Sequence, residues 1–194
     1  MHVLIVIDHP DPQSFTHAAC NRFADGAQDA GHTVELADLN AEGFDPRWSI
    51  ADREQDDTGT SLPDIRKEQE RIERCDALCI AFPLFWFGMP AMTKGWIDRV
   101  WTYGWAYDQI EEPDQSLLKS RTGVLLIPSG GQRSNWQRYG VDDAMEAIWR
   151  NGMLGYFGMS DPQIMFLNGS EGSDARRAGL LDEAYRAGYD LKAP

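Results

Sequence analysis

The sequence predicts an open α/β fold, in which a sheet of five parallel strands is covered by helices on both faces. Short β-branched apolar runs alternate with stretches of helical period along the chain. No internal repeat, linker or low-complexity segment interrupts this alternation. The 194 residues are enough for one substantial core, so we expect a single domain over residues 1–194.

Five apolar runs fit the strands of such a sheet. HVLIVI at 2–7 is apolar throughout, which is typical of a strand that is buried on both faces. TVELADL at 33–39 is more polar, so a position nearer the sheet edge is expected for it. The five expected strands are 2–7, 33–39, 77–82, 122–128 and 162–167.

Helices are expected between these strands, and Ser14 and Gly31 have the residue types that begin and end the first one. Residues 40–63 are polar and lack a clear period, which predicts a long functional or mobile loop. Right-handed crossovers then give a three-layer sandwich with the flavodoxin-like strand order 2-1-3-4-5. The expected helices are 15–30, with Phe15, Ala18, Ala19, Phe23 and Ala27 inward; 63–75; the second half of 81–101; 142–154; and 174–190, with Ala175, Ala178, Leu181, Ala184 and Tyr185 on one side.

Composition excludes several classes of function. A net charge of −13 argues against binding to nucleic acid or to an anionic membrane, since both need clustered Lys and Arg. No apolar run reaches the roughly 18 residues of a membrane span, so no membrane insertion is expected. The N-terminal MHVLIVIDHP lacks the basic region of a signal peptide.

The three cysteines show no disulfide framework, which favours a reducing compartment, and we expect a cytoplasmic protein. Cys75 and Cys79 have a spacing that would also fit a dithiol or half of a metal site. Zinc sites usually have two such pairs, and none of the four histidines forms a pair at helical ligand spacing. We therefore expect structural cysteines and no metal.

Three loops should meet at the carboxyl edge of the sheet, where open parallel sheets bind ligands. The first is DHPDPQSFTH at 8–17, in which His9, Ser14, Thr16 and the helix-end amides are suited to a phosphate. An ordinary capped helix would explain this loop equally well. It contains no glycine, so it is neither a Walker loop nor a GxGxxG motif.

The other two loops follow the third and fourth strands. Phe85, Trp86 and Phe87 are suited to stack on a planar ring, although a buried hydrophobic loop or a dimer contact would also account for them. IPSGGQRSNW at 127–136 carries paired glycines that let the main chain approach a ligand closely. One Ser-Gly-Gly turn is weak evidence, but packing does not require three such loops at consecutive strand ends.

The chain resembles the NAD(P)H:quinone oxidoreductase family, whose members are flavoproteins with the flavodoxin-like fold. The resemblance extends over essentially the whole chain, and its most specific part is 82–101. It implies a compact bacterial-type member that forms a homodimer with the active site at the interface. The residues that carry it are H-P-x-x-x-S-F-T at 9–16, PDIRKEQ at 63–69, FPLFWFGMPAMTKGWIDRVW at 82–101, SGG at 129–131 and DAR at 174–176.

The resemblance also implies roles for matching positions. Gln69 and Arg176 would lie near the dinucleotide part of the cofactor, which favours FAD, with FMN as the alternative. Tyr107 and Trp105 would bind the substrate. The residues expected to bind the flavin are His9, Ser14, Phe15, Thr16, Gln69, Pro83, Leu84, Phe85, Trp86, Phe87, Ser129, Gly130, Gly131, Trp136 and Arg176.

The sequence departs from the family pattern near the reacting ring. Trp136 replaces a tyrosine beside the flavin, and Asp142 replaces a histidine that assists charge relay. Pro128-Ser129 replaces a pair of threonines. Asp142 is better explained as an N-cap or first-turn carboxylate. Tyr139 is either a replacement proton donor or a packed aromatic, so the candidate catalytic residues are Trp136 and Tyr139.

The implied activity is oxidation of NAD(P)H by ping-pong hydride transfer. The nicotinamide passes hydride to flavin N5 and leaves, and a quinone-like acceptor then occupies the same pocket. A non-enzymatic electron carrier and a redox-sensing regulatory subunit are the alternatives. Residues 102–119 resemble a cover over the ring, which a carrier would not need.

Overall fold

The computed structural model describes residues 1–107, 116–159 and 161–194, without the side chain of Asp56. Within these residues one parallel sheet has the order β2-β1-β3-β4-β5. This order confirms the predicted flavodoxin-like architecture and the edge position of the second strand. The strands are β1 (His2–Ile7), β2 (Thr33–Asp38), β3 (Ala77–Ala81), β4 (Thr122–Ser129) and β5 (Gln163–Asn168).

Helices cover both faces of the sheet. Side chains alternate between the faces along each strand, so Val3 and Ile5 pack on one side while Leu4 and Val6 pack on the other. No helix in the described parts of the chain is long and apolar enough to cross a membrane. The helices are α1 (Phe15–Asp29), α2 (Ile50–Thr58), α3 (Pro63–Arg74), α4 (Ala91–Val100), α5 (Ser134–Gln137), α6 (Val141–Ala147), a π-helix (Ile148–Gly155) and α7 (Asp174–Tyr189).

Helices α1 and α7 pack closely against each other on one face. A Cβ atom at Gly26 would lie 2.0 Å from the carbonyl oxygen of Tyr185, and one at Gly188 would lie 2.0 Å from that of Phe23. Backbone-to-backbone packing turns Leu180, Ala184 and Gly188 inward. The predicted side of this helix was therefore correct at Ala184 and partly at Leu181, which packs half-buried against the same core, and wrong at the exposed Ala175 and Ala178. In α1 the expected Ala19, Phe23 and Ala27 are buried, whereas Phe15 and Ala18 are only half-buried.

The prediction of one continuous loop over 40–63 was wrong, because α2 lies within it. Ser49 and Asp52 form a capping box at its N-terminus, a short pattern that the weak hydrophobic period concealed. The buried Arg99 of α4 donates from Nε to Asp52 Oδ1 at 2.6 Å. The helix is thus stabilised by a tertiary ion pair rather than by an apolar stripe.

The predicted helix over 142–154 is present, but its geometry changes along its length. Helix α6 passes into the π-helix at Ile148, and such wider turns are rare and often occur at functional sites. The buried Trp149 of the π-helix packs edge-to-face on Phe82 at 5.8 Å between ring centroids. It also lies 5.9 Å from the ring of Phe166. The π-helix therefore closes the core beneath the carboxyl ends of β3 and β5.

Candidate functional site

Asp8, immediately after β1, hydrogen-bonds to residues that follow β2 and β3 at the carboxyl edge of the sheet. Its Oδ2 accepts from the amide of Thr93 at 2.9 Å and from the Thr93 hydroxyl at 2.6 Å. Its Oδ1 accepts from Asn40 Nδ2 at 3.0 Å. Because Thr93 is in the first turn of α4, Asp8 fixes the end of the loop that carries the aromatic residues. Sequence reasoning assigned no role to Asp8.

The loop between β1 and α1 fixes the hydrogen-bonding direction of His9. Its Nδ1 accepts from the amide of Asp11 at 3.0 Å, so the neutral ring carries its proton on Nε2. Ser14 accepts from the amide of His17 at 3.3 Å and thereby caps α1. Helix geometry leaves the other first-turn amides, including those of Phe15 and Thr16, without intrahelical acceptors. His9 Nε2 and these amides are thus available donors.

His17 connects this cap to β2. Its Nε2 lies 2.9 Å from Asp38 Oδ2, and its Nδ1 lies 2.9 Å from the Ser14 hydroxyl. Burial raises the pKa of Asp38, but hydrogen bonds from Ala41 and His17 outweigh it and hold that pKa below its usual value. The ionised Asp38 therefore accepts from Nε2 and orients the ring toward Ser14.

A groove of about 310 Å³ opens beside the N-terminus of α1, and we call it the helix-end groove. The Arg177 guanidinium lies at its wall, with Cζ 5.2 Å from the centroid of the Phe15 ring. A guanidinium, an Nε2–H donor and free helix amides together suit an anionic phosphate. The groove is lined by His9, Asp11, Ser14, Phe15, Thr16, Pro83, Leu84, Phe85, Pro128, Ser129, Gly130, Ser170, Glu171 and Arg177.

After β3 the chain makes a tight turn that we call the aromatic turn (Phe85, Trp86, Phe87 and Gly88). The amide of Gly88 donates to the carbonyl of Phe85 at 2.9 Å, and the reverse bond measures 3.1 Å. Trp86 and Phe87 have positive φ angles of 50° and 61°. Bulky residues rarely adopt this conformation, which costs of order 1–3 kcal/mol and is concentrated at ligand and active sites. The Trp86 side chain is also 97% exposed.

The aromatic turn borders a second groove of about 280 Å³, which we call the aromatic groove. Trp136 forms one wall, because its ring packs between Phe87 and Phe166 with both centroid distances at 5.8 Å. This groove shares three residues with the helix-end groove, so the two grooves adjoin. The aromatic groove is lined by Leu84, Trp86, Phe87, Ser129, Gly130, Gly131 and Trp136.

Two glycines after β4 keep the junction of the grooves open. A Cβ atom at Gly131 would lie 3.2 Å from Trp136 Nε1, and one at Gly130 would lie 2.8 Å from the carboxyl group of Glu171. Side chains at these positions would occupy the groove. The arrangement provides aromatic walls, close backbone and an anion-binding end, which suit a planar ring that carries a phosphorylated tail.

Five predicted residues line neither groove, and three of them are Gln69, Trp105 and Tyr107. Gln69 and Trp105 line a separate cleft of about 400 Å³, the polar cleft. Tyr107 packs near Tyr103 and Tyr156 at centroid distances of 5.9 and 6.1 Å. Their roles toward the cofactor and substrate stay predictions. The polar cleft is lined by Gln55, Gly59, Thr60, Ser61, Arg66, Gln69, Thr102, Tyr103, Gly104 and Trp105.

The adjacent side chains of Arg176 and Arg177 lie in different surroundings. The Nε and Nη2 atoms of Arg176 donate to the carbonyl of Asn168 at 3.0 and 2.7 Å and brace the turn after β5. Arg177 lines the helix-end groove, because neighbouring helical residues point about 100° apart. The predicted role of Arg176 at the cofactor remains untested, and Arg177 is a groove residue that the sequence analysis missed.

The remaining predicted residues near the ring end differ in exposure. Tyr139 is exposed, with the Arg138 guanidinium 4.5 Å from its ring centroid, so it is not a packed core aromatic. Asp142 is in the first turn of α6, as expected, and accepts from Arg133 Nε at 2.9 Å. The predicted cover over 102–119 includes residues 108–115, which lie outside the described residues.

Burial determines the chemistry of the cysteines. Cys20, Cys75 and Cys79 are free and buried, and burial raises the pKa of each thiol. The thiols are therefore held in the protonated, weakly reactive form. In the part of the chain that the structure describes, no three His, Cys, Asp or Glu side chains form a group able to hold a metal ion.

Comparisons with known proteins agree with this architecture. A family model described as the flavodoxin-like fold matches residues 1–188. The human ribosyldihydronicotinamide dehydrogenase [quinone] is 33% identical over 205 residues, which cover 92% of this chain and 87% of that protein.

Two solved structures are also similar. The NAD(P)H:quinone oxidoreductase from Methanothermobacter marburgensis is 34% identical with a TM-score of 0.90, and the match covers 99% of both chains. The general stress protein 14 of Treponema denticola, solved in complex with FMN, is 25% identical with a TM-score of 0.61 over 98% of this chain and 95% of that one. The chain therefore belongs to the flavodoxin-like-fold family whose model spans it almost completely.

Proposed function

We propose that this protein is a flavin-dependent NAD(P)H oxidoreductase of the quinone reductase type. The observation that carries this proposal is the adjacency of two unlike grooves. A strained aromatic turn and a glycine pair line one groove, and this groove adjoins a helix end whose donors suit an anion. Relatives named as NAD(P)H and quinone oxidoreductases over most of the chain support the same activity.

The residues present fit a flavin. His9 Nε2, the first-turn amides of α1 and Arg177 would hold the phosphate end. The aromatic turn and Trp136 would frame the ring, and the strain at Trp86 and Phe87 is retained where a ligand needs that geometry. The main chain at Gly130 and Gly131 can approach the ring edge, because neither residue has a side chain in the way.

A bound flavin supplies the redox chemistry, since its N5 accepts hydride from NAD(P)H and passes it to an acceptor. The protein positions the reactants. With a flavin ring framed in the aromatic groove, a nicotinamide and then a quinone-like molecule would stack on the ring in turn, which predicts ping-pong kinetics. Backbone amides near Gly130 and Gly131 would be the donors for negative charge at the edge of a bound ring, as in an oxyanion hole. No side-chain nucleophile is required.

We propose FAD as the cofactor, with FMN as the alternative. The helix-end groove extends beyond Phe15 to Arg177 and Ser170, which leaves space and charge past a first phosphate. The similarity to a Treponema denticola protein in complex with FMN supports a flavin of either kind. The resemblance at Gln69 and Arg176 favours the dinucleotide.

We also propose that the protein acts as a homodimer. Within one chain, Gln69 and Trp105 line the polar cleft and His9 lines the helix-end groove, so the cofactor and substrate residues implied by the resemblance form two separate groups. Both groups can serve one site only if a second copy brings its polar cleft to the grooves of the first. Three free buried cysteines support a reducing compartment, and the cytoplasm is the proposed location.

Purified protein should be yellow, and mass analysis of the cofactor released by heating distinguishes FAD from FMN. Colourless protein that takes up neither flavin on reconstitution would refute the proposal. Steady-state oxidation of NADH and NADPH with a small quinone then tests the enzymatic role. Yellow protein without turnover would instead favour the electron carrier or the redox-sensing subunit.

A further inference from the structure

The loop after β4, residues 130–136, must hold its backbone in a defined position beside the grooves. Its first residues form few side-chain contacts that could fix that position. Gly130 and Gly131 have no side chains to pack, and the Ser129 hydroxyl reaches the Gly131 carbonyl only at 3.5 Å. We call residues 130–136, which include the first three residues of α5, the β4 loop. A loop of this kind holds a ligand precisely in place only where neighbouring side chains fix it.

Arg133 is the anchor of this loop. Its Nε donates to Asp142 Oδ2 at 2.9 Å, and its Nη2 donates to Glu146 Oε1 at 2.7 Å. These carboxylates lie one helical turn apart on α6. The Arg133 guanidinium also lies over Phe166 of β5, with Cζ 5.5 Å from the ring centroid. One side chain therefore connects the β4 loop to a helix and to a strand.

The anchor is directly connected to the wall of the aromatic groove. The carbonyl of Arg133 accepts from the amides of Trp136 at 3.0 Å and Gln137 at 3.1 Å, which begins α5. The Trp136 ring in turn contacts Phe87 of the aromatic turn. A displacement of Arg133 would therefore move the Trp136 wall, and with it the adjoining glycines.

The charges of this cluster indicate a mechanical role. The hydrogen bond from Arg133 lowers the pKa of Asp142, and its bond to Asp142 raises the pKa of Arg133, so both groups remain charged. With Glu146 the cluster has two negative charges and one positive charge. It therefore supplies no net positive field to the ring end. Neither Arg133 nor Asp142 lines either groove.

We propose that Arg133 is a positioning residue, which bridges Asp142 and Glu146 and so holds the Gly130–Gly131 backbone and the Trp136 ring in register for the flavin. The part that concerns the flavin rests on the proposed function. The anchoring of the β4 loop does not, and it can be measured in the protein without cofactor.

Hydrogen exchange of the β4 loop tests the anchor. Arg133→Gln should speed amide exchange over residues 130–136 by about tenfold or more, because local opening becomes easier. Arg150→Gln is the matched control: Arg150 is similarly exposed (36% against 39% for Arg133) and pairs with Asp161, just before the start of β5 and away from its carboxyl end. The control should leave exchange in the β4 loop unchanged. Unchanged exchange in Arg133→Gln would overturn the proposal.

Flavin titration and stopped-flow reduction test the consequence for the site. Arg133→Gln should keep flavin affinity within about threefold, since the helix-end groove is untouched, but should lower the limiting rate of reduction by about tenfold or more. Asp142→Asn should stay within about threefold, because an amide oxygen still accepts from Arg133 Nε. A limiting rate within about twofold of the parent in Arg133→Gln would refute the positioning role. A parent protein that binds no flavin would refute the proposed function, while the exchange experiment would still decide the anchor.

If Arg133→Gln does not fold, Arg133→Lys and Glu146→Ala replace it. Lysine keeps the charge but cannot bridge both carboxylates as the planar guanidinium does, and Glu146→Ala removes the acceptor of Arg133 Nη2 while Asp142 still accepts from Nε. In both variants, the amides of the β4 loop should exchange faster than they do in the parent protein, but more slowly than unprotected amides. Exchange equal to the parent in both variants would overturn the proposal.

Discussion

The helix-end groove and the polar cleft are similar in volume, about 310 and 400 Å³, but they use their hydrogen-bonding groups differently. In the polar cleft, Gln69 accepts from the Ser61 hydroxyl at 2.7 Å and donates to the carbonyl of Val100 and the hydroxyl of Thr102, both at 3.1 Å. In the helix-end groove, the hydrogen bond of the His9 ring uses Nδ1 and leaves Nε2 as a donor, and the amides of Phe15 and Thr16 have no intrahelical acceptor.

The backbone differs as well. The region around the polar cleft is held by the buried Arg99, which pairs with Asp52 and Asp64 and donates to the carbonyl of Asp45 at 2.7 Å. The groove side instead has two bulky residues at positive φ in the aromatic turn. Stored strain and available donors identify a ligand site better than the volume of a cleft does. Within a single chain, the Gln69 side chain of the polar cleft is already hydrogen-bonded at both its oxygen and its nitrogen.

The largest effect is expected at Gly131. A Cβ atom there would already lie 3.2 Å from Trp136 Nε1, so the branched side chain of Gly131→Val must displace the β4 loop or the tryptophan. We expect a loss of about 100-fold in the rate of flavin reduction, or roughly 2.7 kcal/mol of barrier. Stopped-flow measurement with saturating flavin checks this. Gly179→Val is the control, because a Cβ atom at this helix position would have no neighbouring atom within 4 Å outside its own helix. Equal rates of flavin reduction in both variants would contradict the role of the glycine pair in the site.

Asp52→Asn tests the region around the polar cleft. This change should lower the free energy of unfolding by about 2 kcal/mol and leave flavin affinity unchanged. Burial alone raises the pKa of Asp52, but hydrogen bonds from Ser49 and Arg99 lower it overall. Its contribution is therefore present above the unfolded-state pKa near 3.8 and is lost as the pH falls through the lower folded-state value.

Urea unfolding at pH 7 and at pH 3 measures this effect, and the difference between Asp52→Asn and the parent should shrink at the lower pH. Asp45→Asn is the control, because the Asp45 side chain forms its ion pair with the exposed Arg47 and such surface pairs contribute little. A difference that grows on acidification would contradict the assignment.

Trp86 allows strain and stacking to be separated. Trp86→Ala and Trp86→Gly should both weaken flavin binding by about 1 kcal/mol, because either removes a ring that frames the ligand. Without cofactor, Trp86→Gly should be more stable than Trp86→Ala by about 1 kcal/mol, since glycine adopts positive φ without strain.

Flavin titration and thermal unfolding of the apoprotein measure the two quantities for Trp86. A shift of about 2–4 °C in Tm corresponds to the expected stability difference. If Trp86→Ala unfolds the protein while the folded fraction keeps its flavin affinity, the aromatic turn serves packing, and its assignment to the ligand site is wrong.

The smallest effect concerns the two arginines. Arg177→Gln should lower flavin affinity about fivefold, or about 1 kcal/mol, and should reduce the salt dependence of binding. Arg176→Gln should keep the affinity within about twofold and lower thermal stability, because the carbonyl of Asn168 loses both donors. Fluorescence titration at low and high salt distinguishes them. The opposite result would establish Arg176 as the cofactor residue that the family resemblance implies.

Much of the fold could be predicted because local patterns record burial and helix ends directly. The apolar run of β1, the Ser14 cap of α1 and the proline of α3 all lie where the sequence indicated. The helix α2 was missed because its buried contacts are polar: Asp52 and Gln55 are buried on α2 through bonds to Arg99 rather than through an apolar stripe. In α7, packing of backbone against Gly26 replaced the side-chain stripe that a period predicts.

The candidate site was predictable as a set of loops but not as a geometry. The strand order places the loops after β1, β3 and β4 at one edge, so His9, the aromatic turn and the glycine pair were expected together. The positive φ angles of Trp86 and Phe87 carry no sequence signal, because residues of this type ordinarily avoid them. The choice between Arg176 and Arg177 depends on a helix rotation of one residue, which a cap alone does not define.

Local residue patterns were enough to predict the alternation of strands and helices, the ends of most of them and the three loops that meet at the carboxyl edge, because each of these depends on neighbouring residues. How these loops are held became clear only in the folded protein. Asp8 reaches Thr93 across 85 positions, and Arg133 reaches Glu146 only because α6 returns beside the β4 loop. Such pairs involve side chains that are distant or irregularly spaced along the chain, so no local period records them, and they form only after the sheet has brought its edges together.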